Sequence, residues 1–169
     1  MAEFPALVIN TGPLIALAAA TGDWAILRVL PWRWMTPRRV IDELAAGRPG
    51  SPGKNLIERS PWIQVLPDPE PTPPYLRAAL DAGEAAVIAL AMAQSIQDVA
   101  IDEQAGRSIA RTCGLRVTGS MGILLAAKRA GSPINISECI DRISAAGIWL
   151  SPALIRQVLS LSNHPTPPT

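Results

Sequence analysis

Apolar residues fall along this chain in two kinds of run. Short ones, "ALVI" at 6–9 and "VAI" at 99–101, lie between polar residues as buried strands do, whereas long ones, "LIALAAA" at 14–20 and "AAVIALAMA" at 85–93, are built from strong helix formers. The pattern predicts strands at about 6–9, 34–36, 62–67, 98–102 and 115–119. It predicts helices at 13–20, 23–30, 38–46, 82–94, 103–114, 120–131, 136–147 and 151–162. Pro37 suits the first turn of the 38–46 helix, because its φ is fixed and its missing N–H has no partner there anyway. Gly114 and Gly131 stand where helices should close. The segment 82–94 is apolar on nearly every face and reads as a buried helix, while "GRPGSPGKN" and "PDPEPTPP" read as a loop and a proline-rich turn. Strands alternating with helices imply an α/β fold with a parallel sheet covered on both faces.

Composition narrows the setting. A chain of 169 residues, 49% hydrophobic and 17% charged, is expected to form one domain over 1–161 with a disordered tail at 162–169. The net charge of +1 provides no overall field to recruit nucleic acid or an anionic membrane, so any such partner must be met by local patches. Cys113 and Cys139 lack metal-ligand spacing and read as core thiols of a reducing compartment. The start "MAEFPALVIN" lacks the basic end and cleavage site of a leader, and no apolar run approaches the roughly 20 residues of a membrane span. A soluble, cytoplasmic protein without a membrane partner is the expectation.

Ligands of open parallel sheets gather at the carboxyl ends of strands. Asn10 and Asp102 each follow a strand directly, Glu43 lies in the helix after the second strand, and Glu84 opens the buried helix. Each also has an ordinary reading. Asp81 and Glu84 have capping-box spacing, and Glu43 lies four residues after Arg39 as an ion pair would. Asp102 can cap the helix at 103, and Asn10 or Thr11 the one at 13. Their joint placement favours a shared site, because clustered carboxylates repel and a divalent cation relieves the repulsion. The only histidine, His164, is close to the end of the chain, which leaves histidine-based triads and zinc sites without their central residue. "GRPGSPGKN" fails as a phosphate loop, since Arg48 takes the place of the first glycine and Asn55 that of the hydroxyl residue.

In order, "VINTGPLIAL", "TPRRVIDELAAG", "LDAGEAAVIALAMAQ", "VAIDEQAGRSIARTCGLRVTGSMGILLAAKRAG" and "GIWLSPALIRQVL" resemble the PIN-domain family, within it the proteins described as nucleic-acid-binding and similar to toxins of toxin–antitoxin pairs. The resemblance covers nearly the whole chain. It implies a three-layer α/β/α fold with a central parallel sheet, an acidic pocket binding Mg²⁺ or Mn²⁺, and hydrolysis of RNA phosphodiester bonds. The family's acidic positions fall on Asn10, Glu43, Glu84 and Asp102, with Asp81 and Glu103 as accessory acids and Thr11 and Thr118 as orienting hydroxyls. Asn10 departs from the pattern: its carbonyl can bind a cation but adds no charge.

These readings lead to a metal-dependent endoribonuclease, the toxin of a toxin–antitoxin pair, with Glu43, Glu84 and Asp102 catalytic. Arg38, Arg39, Arg48 and Lys54 would contact RNA, the alternative for them being a solvated basic face. An antitoxin and a second copy of the chain are the expected partners, with the apolar stretch 14–30 offered as the dimer interface. The competing reading is a non-catalytic module that keeps the fold and binds nucleic acid or protein through a site weakened at Asn10. A phosphohydrolase of small substrates is weaker still, because the DxD arrangement such enzymes often use is absent.

Overall fold

The structure is a computed structural model that describes residues 3–164. Five parallel strands form one sheet in the order β3-β2-β1-β4-β5, with helices on both faces, giving a three-layer α/β/α fold. The strands are β1 (Ala6–Ile9), β2 (Arg33–Pro37), β3 (Ile63–Leu66), β4 (Asp98–Ala100) and β5 (Arg116–Thr118). The helices are α1 (Thr11–Thr21), α2 (Arg38–Ala46), α3 (Pro74–Ala79), α4 (Ala82–Ala93), α5 (Gln104–Thr112), α6 (Ser120–Arg129), α7 (Ile136–Ala145) and α8 (Pro152–Asn163).

The chain leaves β1 toward β2 on one side and returns to β4 on the other. This reversal of strand order opens a crevice at the carboxyl ends of β1 and β4, where the loops diverge. Helix α4 crosses β1, β2 and β4 beside α2, α3 and α5; α6 and α7 cover α1, and α8 lies on both of them. The run Gly83–Ala91 of α4 is buried throughout, as expected of a helix apolar on nearly all faces. Gly114 and Gly131 follow their helices with φ of +81° and +92°, a conformation glycine adopts without steric cost.

Three features depart from the sequence pattern. The stretch expected as a helix at 23–30 is a 3-10 turn over Ala25–Val29, with Leu27 O accepting both from Leu30 N–H and, at 2.8 Å, from the Trp34 indole. Helix α3 was hidden by prolines, yet Pro74 sits at its first position, where a missing N–H costs nothing, and Leu76 anchors it in the core. Within the apolar stretch 14–30, Leu14, Leu17 and Leu27 are fully buried in the chain's own core, while Val29 is exposed. At the other end, α8 continues to Asn163, past the expected boundary at 161. Of the expected tail, 165–169 lie outside the described residues.

Candidate active site

Strand register brings the candidate residues to one rim. Ile9 pairs with Ala100 and Ala100 with Thr118, and the ladder runs one bond further through Asn10 N–H to Ala100 O and Ile101 N–H to Thr118 O, both 3.0 Å. Asn10, Asp102 and the loop after Thr118 therefore leave the sheet side by side. Helix α2 brings Glu43 to the same edge, where the Thr11 hydroxyl donates to its Oε2 at 2.7 Å. Gly83 of α4 lies so close to the Glu43 carboxylate that a Cβ there would overlap it. Gly106 of α5 stands in the same relation to Glu84, and a Gly119 Cβ would sit 2.7 Å from Asp102 Oδ1. At each of these three positions any side chain would intrude on a carboxylate.

The ordinary roles of these acids are mostly taken by other groups. Arg39 is engaged by Asp68, through a 2.8 Å bond from its backbone N–H and an ion pair at 3.6 Å, so it does not pair with Glu43. Asp81 caps α4 by accepting from Glu84 N–H at 2.8 Å, and Oε1 of the Glu84 carboxylate is buried without a partner. Asn10 precedes α1 in extended conformation yet makes no side-chain cap, and its Oδ1 is buried and unpartnered as well. Asp102 does not cap α5; it reaches across to accept from Ser120 N–H, at the start of α6, at 2.7 Å.

Electrostatics divides the rim. Burial, together with the charges of Asp81, Glu103 and Glu43 and against a backbone hydrogen bond from Asp81, pushes the Glu84 carboxyl up to about 7. Crowding by protein atoms also pushes Asp102 up, opposed by hydrogen bonds from Ser120 and by the charge of Arg107; the residue is open to solvent on its outer side, which further limits the rise. The donors on offer are carboxylate, amide and hydroxyl oxygens, the hard set that Mg²⁺ or Mn²⁺ prefers. Two buried oxygens without hydrogen-bond donors, Asn10 Oδ1 and Glu84 Oε1, fit a site whose partner is a cation. Among the described residues no three acid, histidine or cysteine side chains enclose an ion by themselves. Mg²⁺ tolerates such a site, since it keeps several waters and takes one or two carboxylates.

The basic residues separate by role. Lys54 donates from Nζ to Gly47 O at 2.6 Å, at the carboxyl end of α2. Arg38 and Arg48 are exposed and belong to none of the ion pairs among the described residues. Two site residues were not singled out from sequence. Ser120 supplies the N–H that holds Asp102, and Arg107 donates from Nη1 to Ile101 O at 2.7 Å and Thr118 O at 3.1 Å, tying the ends of β4 and β5. Both lie in the distinctive stretches "IDEQAGR" and "VTGSMG", but only the crossing of β4 over to β5 shows that they meet.

The family model described as "DUF3368: PIN domain" matches residues 6–164. No curated protein and no solved structure matches the chain. Among the described residues no helix is long and apolar enough to cross a membrane.

Proposed function

From the premise that this chain belongs to the PIN-domain family and has its nuclease-type fold, we propose that it is an endoribonuclease dependent on Mg²⁺ or Mn²⁺. The observation that carries the reading is Glu84: a carboxylate with one oxygen buried and unpartnered, surrounded by the negative charges of Asp81, Glu103 and Glu43. Such a group is at odds with its surroundings until a cation arrives. Glu43, Glu84 and Asp102 are the proposed acidic groups of the site, with Asn10 Oδ1 as a neutral oxygen. A bound divalent ion supplies Lewis acidity at the phosphate and lowers the pKa of water.

The chain's own groups do the rest. Thr11 fixes the Glu43 carboxylate, and Ser120 fixes Asp102 with one oxygen engaged and Oδ2 making no protein hydrogen bond. That free oxygen suits Asp102 to accept a proton from, or orient, the attacking water. Arg38 and Arg48 offer charge to the RNA backbone, and Arg39 does so from its pair with Asp68. Asp81 and Glu103 shape the field around Glu84, and Thr118 lines the far side of the rim.

The test is cleavage of an end-labelled single-stranded RNA with Mg²⁺, with Mn²⁺ and with chelator. Cleavage that needs the metal and falls about a hundredfold or more in Glu84→Gln and Asp102→Asn is expected. Equal cleavage by wild type and both variants rejects the assignment. The neutral Asn10 favours a second reading, a binding module without catalysis; RNA bound equally well with chelator and with Mg²⁺, and never cut, selects it.

A further inference from the structure

The two ends of the acidic rim are not equivalent. The charges acting on Glu84 are all negative, those of Asp81, Glu103 and Glu43. The charge acting on Asp102 is positive, that of Arg107, and Oδ1 of Asp102 is already occupied by Ser120 N–H at 2.7 Å. Arg107 is no loose surface side chain. Its Nη1 is fixed by two backbone carbonyls, Ile101 O and Thr118 O, and lies 2.9 Å from the point a Gly119 Cβ would occupy, with Asp102 Oδ1 2.7 Å from that same point. Glycine at 119 leaves these two groups room beside each other. A guanidinium stays ionised in a protein, so this end of the rim carries a permanent positive charge.

A second, independent feature marks the other end. Glu84 is 4% exposed and its Oε1 has no partner, and Asn10, also 4% exposed, leaves Oδ1 unpartnered. Among buried oxygens, those without a partner belong to Glu84 and Asn10, while the charge acting on Asp102, which is open to solvent, is that of Arg107.

We propose that the site takes one divalent cation, at Glu84 with Glu43 and Glu103 as its acidic neighbours, and that Arg107 stands beside Asp102 as the fixed positive charge a second ion would otherwise bring. The inference rests on the metal-dependent reading above and specifies it. Arg107 acts here as a positioning residue: it ties β4 to β5 and disfavours a second cation beside Asp102 through like-charge repulsion.

The experiment counts Mn²⁺ bound per chain at pH 8, from the electron paramagnetic resonance of free Mn²⁺ and from native mass spectrometry. Wild type is expected to saturate at one ion. Arg107→Gln, which removes the charge, is expected to admit a second, weaker ion, and adding Asp102→Asn to it should restore one. Arg107→Lys, which keeps a charge, should stay at one. Two ions in wild type, or one ion in a folded Arg107→Gln, overturns the proposal. If Arg107→Gln does not fold, Asp102→Asn decides: a Kd within about threefold of wild type supports it, and a loss of about tenfold or more overturns it. Wild type binding no Mn²⁺ overturns the metal-dependent reading itself and this inference with it, an outcome distinct from two ions, which overturns this inference alone.

Discussion

At Glu84, burial and charge conflict inside a single side chain. Its carboxyl is raised to about 7 from an ordinary 4.5, so the folded state holds the proton more tightly than the unfolded chain does. Between those two values the folded state binds more protons, and the metal-free protein loses stability as pH rises through the interval, by on the order of 2 to 3 kcal/mol. Urea unfolding at pH 5 and pH 8 in chelator should show that loss in wild type and a much smaller one in Glu84→Gln; a slope unchanged by the substitution contradicts it. Gly83 gives a complementary case. A Cβ there meets only the far end of the flexible Glu43 side chain, and alanine is the better helix former by about 1 kcal/mol. Gly83→Ala should therefore melt at or above the wild-type temperature while RNA cleavage falls, because the displaced group is the Glu43 carboxylate. Asn10→Asp restores the missing charge and should tighten Mn²⁺ binding, about tenfold in a calorimetric titration, while lowering stability in chelator.

At the scale of elements, the start of α4 joins fold to chemistry. Asp81 caps the helix and is the largest of the charges raising the Glu84 carboxyl. Asp81→Ala should cost about 1 kcal/mol in thermal unfolding at pH 5, where the lost cap is felt alone. At pH 8 the cost should shrink, since a negative neighbour of Glu84 has also gone. Most elements were legible in the sequence because their signals are local: the buried helix at 82–93 from its apolar faces, α5 and α6 from their glycine stops. Helix α3 was not, because prolines that read as turn residues serve it at the first helical position. The site was legible to the extent that strand ends place residues at a rim. What each acid touches there depends on pairings between distant segments: Thr11 with Glu43 and Ser120 with Asp102 are 32 and 18 residues apart. Lys54 shows the same limit from the other side: its bond to Gly47 O at the end of α2 could not be read from its place in the loop.

For the molecule as a whole, a net charge of +1 sets how RNA is held. With Arg38, Arg39 and Arg48 as the cationic contacts, binding to single-stranded RNA should depend on salt with a log–log slope no steeper than about −2. Fluorescence anisotropy of a labelled RNA across a salt series measures it, and a slope of about −5 or steeper points to a basic surface elsewhere. All of this depends on whether the rim takes a metal ion at Glu84. The most direct measurement is calorimetric titration of Mn²⁺ into the wild-type chain and into Glu84→Gln at pH 8. The account predicts saturable binding by wild type in the range from about a micromolar to a millimolar Kd, and none by the variant. Equal binding by both chains, or none by either, contradicts it.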